Sequence, residues 1–201
     1  MCKILTSARI AMVFLFVMAS CSGVKTAEKT SAITAEIPAL IPLPTEVNWR
    51  DEVYQLPKKN TICAAPGTET VAKWLEKLLI SANLNPKMLT DESCGNWQLK
   101  LNKDLISSIG EEGYALTVND SGILLESGSE AGLFYGIQTL RQFFPAQIET
   151  GKTGKIAFRQ VHIRDTPAYE WRGSMVDMAR SFFGMDYLKT HIDRMALYKM
   201  N

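Results

Sequence analysis

Three charged residues near the end of the chain have the types and spacing to handle a polar ligand. Arg172 follows a tryptophan and precedes Gly173 at the start of an apolar run. A guanidinium there can make paired hydrogen bonds to ligand hydroxyls or to a carboxylate. It can equally form half of a structural ion pair, and chemistry alone favours that use. Asp177 and Arg180 stand three apart near the end of the same run. Asp177 can orient a substrate-binding group or simply bridge to Arg180, and the bridge is the preferred reading. His162 and His191 are the only histidines, and neither has a nucleophile or metal-ligand partner at useful spacing. Glu111 and Glu112 lie between two glycines and read as a solvated turn rather than a catalytic pair.

Other chemistries lack their residues. The chain has no His-Glu-x-x-His zinc motif, no Gly-x-Ser-x-Gly nucleophile turn and no phosphate loop. Its 9 methionines are scattered over core-like positions, which points to packing. The net charge is +1, from 22 basic and 21 acidic residues, so no basic field is available for nucleic acid. Nor is there a polybasic helix to bind a membrane surface. With 201 residues, 46% of them hydrophobic, the chain can hold one globular domain, or one and a fraction.

The elements that must position Arg172, Asp177 and Arg180 follow from pattern. Residues 174–179 are apolar apart from Asp177, as expected for a strand covered on both faces. Asp186 can cap a following helix with Leu188, Ile192, Met195 and Ala196 on one side. Strand then helix fits the first unit of a parallel α/β architecture, and in barrels the C-terminal strand ends face the active site.

Upstream, Ile41-Pro42-Leu43-Pro44 opens the folded part. Short strands are expected at 53–56 and 61–64. A helix is expected over 70–81, with Val71, Trp74, Leu75, Leu78 and Leu79 on its apolar face. Alternation predicts strands around Trp97–Leu101 and Tyr114–Val118, the latter turning at Asn119-Asp120-Ser121-Gly122 into a hairpin partner at 123–126. Ser129 can cap a helix whose apolar face carries Leu133, Phe134, Ile137, Leu140 and Phe144, ended by Pro145. A last strand is expected over 156–163. Strands and helices without a regular βαβ rhythm make residues 38–165 an α+β domain, a mixed sheet with helices.

The N-terminus reads as an export signal. Lys3 and Arg9 precede an apolar run over 10–19 that is too short to span a membrane. The run ends in Met18-Ala19-Ser20-Cys21, which resembles a bacterial lipoprotein signal, cleaved before Cys21 and lipidated on its thiol. The other reading is an ordinary secretory signal cut nearby, with Cys21 incidental. Residues 1–21 are thus the signal and 22–37 a polar tether. Of 4 cysteines, Cys63 and Cys94 remain, and they can pair in an oxidising compartment if the fold brings them together.

Two segments carry a resemblance. Glu112-Gly113-Tyr114-Ala115-Leu116, Gly122-Ile123 and the run from Glu130 to Gln142 resemble the N-terminal domain of family 20 glycoside hydrolases, the β-N-acetylhexosaminidases. Ile41-Pro42-Leu43-Pro44 and Ile163-Arg164-Asp165-Thr166-Pro167 are similar to that domain's edges. Residues 169–177, with Ala179-Arg180, Ile192-Asp193, Met195-Ala196 and Lys199-Met200-Asn201, resemble the first strand and helix of the catalytic (β/α)8 TIM barrel. The accessory domain also resembles the one in family 84, but the Trp171-Arg172-Gly173, Asp177 and Arg180 pattern favours family 20.

The resemblance implies removal of terminal β-linked N-acetylglucosamine or N-acetylgalactosamine with retention. The substrate's own acetamido oxygen attacks, an Asp-Glu pair orients the acetamido group and protonates the leaving oxygen, and no metal or organic cofactor is needed. It also implies that Arg172 binds sugar hydroxyls, reversing the preference from chemistry alone; Asp177 and Arg180 match family positions too and are candidate support for the site, with no catalytic role carried over to them. The Asp-Glu pair lies further along the family barrel. Residues 166–201 are therefore expected to be its start only, inactive alone and poorly ordered or aggregation-prone after about Ala168. The rival reading is a non-catalytic exported lipoprotein that keeps the accessory domain as a binding module.

Overall fold

A computed structural model describes residues 35–89, 95–146, 148 and 155–201. Alternating burial builds a seven-stranded sheet from β1 (Glu46–Gln55), β2 (Asn60–Ala64), β3 (Pro86–Leu89), β4 (Trp97–Leu101), β5 (Tyr114–Asn119), β6 (Gly122–Ser127) and β7 (Ala157–Asp165). The order across the sheet is β1-β7-β5-β6-β4-β2-β3. The β1/β7, β7/β5 and β5/β6 pairs are antiparallel, and the β6/β4, β4/β2 and β2/β3 pairs are parallel. This is the expected mixed sheet with helices. The hairpin turns at Asn119↔Gly122, as its turn residues imply.

Two helices bury their apolar stripes in the core. Helix α1 (Glu69–Ser81) inserts Val71, Ala72, Leu75, Leu78 and Leu79. Asn83, at φ 58, ends it in the left-handed region that asparagine tolerates. Helix α3 (Glu130–Arg141) begins at Ser129, whose side chain accepts the Gly132 N–H, as expected. It lies unusually close to the sheet. A Cβ at Gly132 would stand 2.2 Å from the Gly113 carbonyl oxygen, and one at Gly136 would stand 2.3 Å from a Leu125 methyl. The short helix α2 (Ile106–Ile109) leads into β5.

Several expectations differ from the structure. Trp74 is half exposed rather than in the core, its ring set edge-on to Phe134 at 5.8 Å. Strand β1 starts seven residues before the expected 53–56 strand, because its paired register with β7 runs back to Glu46↔Arg164. Helix α3 stops at Arg141, short of Pro145.

Residues 174–179 form no strand. They join no ladder among the described residues, and Met175 is almost fully exposed. Apolar composition calls for cover on both faces, but only paired neighbours turn such a run into a strand. Helix α4 (Gly184–Leu197) follows, with Phe183 rather than Asp186 at its N-cap. Asp186 lies inside the first turn, and its carbonyl accepts from the Thr190 hydroxyl. The partly buried side of α4 carries Leu188, Met195 and Ala196, while Ile192 points to solvent. Helix α4 packs against α3, within the same compact unit as the rest of the described chain.

Candidate functional site

The docked tail is held at two points. The first begins in the loop before β5. Gly113 offers its carbonyl to the Ser127 hydroxyl at 2.6 Å, and Glu111 offers its carbonyl to the Ser129 hydroxyl at 2.6 Å. These bonds tie the loop to the end of β6 and the start of α3, and so fix Glu112. One Glu112 oxygen accepts from Arg172 Nη2 at 2.7 Å, and the other accepts from the Asn201 amide at 3.2 Å. Glu112 is therefore an ion-pair partner, not a solvated turn residue. No local window reveals this, because its partners lie 60 and 89 residues away.

Arg172 is well covered by its own chain. Its Nε donates to the Lys199 carbonyl at 2.8 Å and its Nη1 to the Tyr169 carbonyl at 2.6 Å. The guanidinium lies 5.4 Å from the centre of the Tyr135 ring, on α3. Burial, with Glu112 beside it, pushes the Tyr135 phenol up, against the opposing pull of Arg172. The Arg172 side chain is only 16% exposed.

The second point is more deeply buried. Lys199 Nζ donates to Asp165 Oδ2 at 2.9 Å and to the Tyr114 hydroxyl at 2.9 Å, and that hydroxyl pairs with Thr139 Oγ1 at 2.7 Å. Burial pushes the Lys199 ammonium below the usual lysine range, although Asp165 pulls it back up. Burial, reinforced by the Asp165 carboxylate, drives the Tyr114 phenol far above its usual range. Asp165 Oδ1 also accepts the Thr45 N–H at 3.1 Å, joining the start of the folded chain to this cluster. Lys199 is also the left-handed residue that closes α4, at φ 58. The Met200 N–H reaches back to the Met195 carbonyl at 3.0 Å.

Between these points the backbone makes a crossover. The Asn201 N–H donates to the Arg172 carbonyl at 2.9 Å, and the Arg172 N–H donates to Asn201 Oδ1 at 3.0 Å. The chain leaves at Arg172, climbs through α4 and returns beside its starting point. One backbone hydrogen bond thus joins the two ends of the segment that contains α4.

Asp177 and Arg180 sit at the other end of the extended run. Asp177 Oδ1 accepts the N–H groups of Ala179 and Arg180, both at 3.0 Å, while Oδ2 meets Arg180 Nε at 3.2 Å. The bridge expected between them is present. Yet the Arg180 side chain is 89% exposed, and the bridge uses its Nε. The structure thus groups Arg172 with Glu112, Lys199 and Asn201, and leaves Asp177 and Arg180 apart.

The histidines have modest partners: His162 faces the Thr117 hydroxyl at 3.0 Å and His191 faces the Ser174 hydroxyl at 3.2 Å. Among the described residues no group of His, Cys, Asp and Glu is arranged to hold a metal ion. No helix among them is long and apolar enough to cross a membrane. Cys63 is buried in the sheet, its sulfur 2.7 Å from where a Cβ on Gly95 would stand. Its expected partner Cys94 lies outside the described residues, as do Cys21, the signal and most of the tether.

Comparison with known proteins accounts for both parts. Residues 37–166 match the model of glycosyl hydrolase family 20, domain 2, and residues 169–201 match that of the family 20 catalytic domain. A β-hexosaminidase of Porphyromonas gingivalis is 35% identical over 167 residues, which are 81% of this chain and 21% of that protein. The structure of the Streptomyces plicatus N-acetyl-β-hexosaminidase in complex with Thio-NAglucal superposes with a TM-score of 0.72 at 33% identity, over 81% of this chain and 33% of that one. The β-N-acetylhexosaminidase of Bacteroides fragilis gives 0.68 at 25% identity, over 81% of this chain and 31% of that one. The chain therefore spans about a fifth of the first relative and about a third of the solved structures. Neither the family 84 reading nor the non-catalytic reading gains support from these matches. An α+β accessory domain and the start of a catalytic barrel, matched in one order along one chain, belong to glycosyl hydrolase family 20.

Proposed function

We propose that this chain supplies the accessory domain and the first barrel unit of an exported β-N-acetylhexosaminidase. The reaction is removal of terminal β-linked N-acetylglucosamine or N-acetylgalactosamine, with the substrate's acetamido oxygen as nucleophile and retention at the anomeric carbon. The supporting observation is the crossover from Arg172 through α4 to Asn201, on the stretch that matches the catalytic domain. On this reading the Asp-Glu pair that such a reaction needs belongs to a later part of the family barrel.

Geometry favours Arg180 over Arg172 as the sugar contact. A barrel strand presents its C-terminal end to the substrate and its N-terminal end to the stabilising face. Arg172 stands at the start of the run with its guanidinium held by Glu112 and two carbonyls. Arg180 stands at the far end, steadied by Asp177 through Nε, with Nη1 and Nη2 available for hydroxyls.

The test begins with the coding sequence beyond codon 201. The longer product should hydrolyse 4-nitrophenyl N-acetyl-β-glucosaminide, while residues 1–201 alone should not. In that product Arg180→Ala should lower kcat/KM by about a hundredfold or more, the scale of losing a charged contact of ~3 kcal/mol. A stop codon after Asn201, or turnover by the 201-residue chain itself, overturns the reading.

A further inference from the structure

We propose that Glu112 and Asp165 of the accessory domain are positioning residues that set the register of the catalytic barrel's first crossover. The proposal rests on reading residues 169–201 as that crossover.

Each carboxylate grips a different part of the tail. Glu112 binds the side chains of Arg172 and Asn201 at once, and these are the two residues whose main chains pair. A single carboxylate therefore spans both segments at the rung where they meet. Asp165 binds Lys199, the residue that turns the chain out of α4 and back toward Arg172. A non-glycine residue in the left-handed region is strained, so this turn needs outside support. The buried Lys199 ammonium supplies it through Asp165 and Tyr114.

The gripping groups are themselves rigid. The Glu112 loop is fixed by the Ser127 and Ser129 hydroxyls and backed by Gly132 of α3. Asp165 closes β7, paired with Tyr114 of β5 in the sheet. Both grips thus belong to the accessory domain's own framework: Glu112 reaches Arg172 and Asn201 of the tail, and Asp165 reaches Lys199 of the tail while its other oxygen holds Thr45 of the domain itself. Residues 174–179 between them have no ladder of their own. With both ends held in place, the accessory domain orders this crossover before any later strand can pair with it.

Amide exchange followed by NMR on this chain tests the idea without any enzyme assay, so its failure leaves the hexosaminidase reading untouched. Asp165→Asn should speed exchange across α4 and at Asn201 at least tenfold while the amides of β5 and β6 hold their protection. Glu112→Gln should speed exchange at Arg172 and Asn201 and spare the interior of α4. The reciprocal pair Glu112→Arg with Arg172→Glu should restore protection at Asn201. Should Asp165→Asn fail to fold, Lys199→Gln breaks the same bond from the tail side. Unchanged exchange over 169–201 in the single variants overturns the proposal. So does a loss shared equally by β5, β6 and α3, which would make these pairs ordinary core stabilisers.

Discussion

Tyr114 places a buried phenol between the Lys199 ammonium and the Thr139 hydroxyl. Its folded-state pKa lies above its unfolded value of about 10. The folded state therefore holds the phenolic proton more tightly than the unfolded chain does. The resulting stability is complete below about pH 10 and is lost as pH rises beyond it. In an alkaline titration read by tyrosinate absorbance, Tyr114 should ionise only as the chain unfolds. Tyr114→Phe should flatten that alkaline loss while costing about 1 kcal/mol at neutral pH from the lost hydrogen bonds. An unfolding midpoint with unchanged alkaline slope would count against it.

At the scale of elements, the meeting of α3 with the hairpin sets the strictest packing. Alanine normally stabilises a helix interior over glycine by about 1 kcal/mol. Here the added methyl at Gly132 meets a backbone carbonyl and the Ser127 hydroxyl, neither free to retreat. At Gly136 it meets a leucine side chain, which can repack. Overpacking of about 1–3 kcal/mol should outweigh the propensity gain at Gly132. At about 2–4 °C per kcal/mol for a chain of this size, Gly132→Ala should melt several degrees lower, and Gly136→Ala should fall less. Thermal melts by circular dichroism decide the order.

The same scale shows what a linear reading could see. Strong alternation, as in β4 and β5, and a cap followed by an apolar stripe, as in α3, are local signals, and those elements lie where the pattern puts them. Strand β3 opens on a proline at the sheet edge and holds four residues, too few to show a period. The run at 174–179 has strand composition, yet hydrogen-bond partners, not composition, make a strand. The site was less legible than the fold. Arg172 stood out because of its neighbours Trp171 and Gly173. Glu112, Asp165 and Lys199 did not, since a carboxylate in a turn and a lysine after a helix look like ordinary surface residues until the tail folds back on them.

For the whole molecule, the export reading makes a chemical prediction about residues outside the described set. Expressed in a Gram-negative host with labelled palmitate, the chain should take up label, and Cys21→Ser should abolish it. The exported protein should also be two mass units lighter than its reduced form, through a Cys63–Cys94 disulfide, on the scale of the two hydrogens such a bond removes. Unlabelled wild-type chain would leave an ordinary secretory signal, and two free thiols after export would remove the disulfide.

The two-point grip has a consequence for how such an enzyme could be modified. Arg180 stands eight positions after Arg172, and an extended strand advances about 3.3 Å per residue, so as a barrel strand the run would hold them roughly 26 Å apart. The accessory domain holds the near end and the sugar would meet the far one. Cargo fused to the accessory domain, or a solid support attached there, would thus sit behind the barrel floor. Provided that Glu112 and Asp165 are kept, an immobilised enzyme of this design should leave its substrate mouth open to solvent.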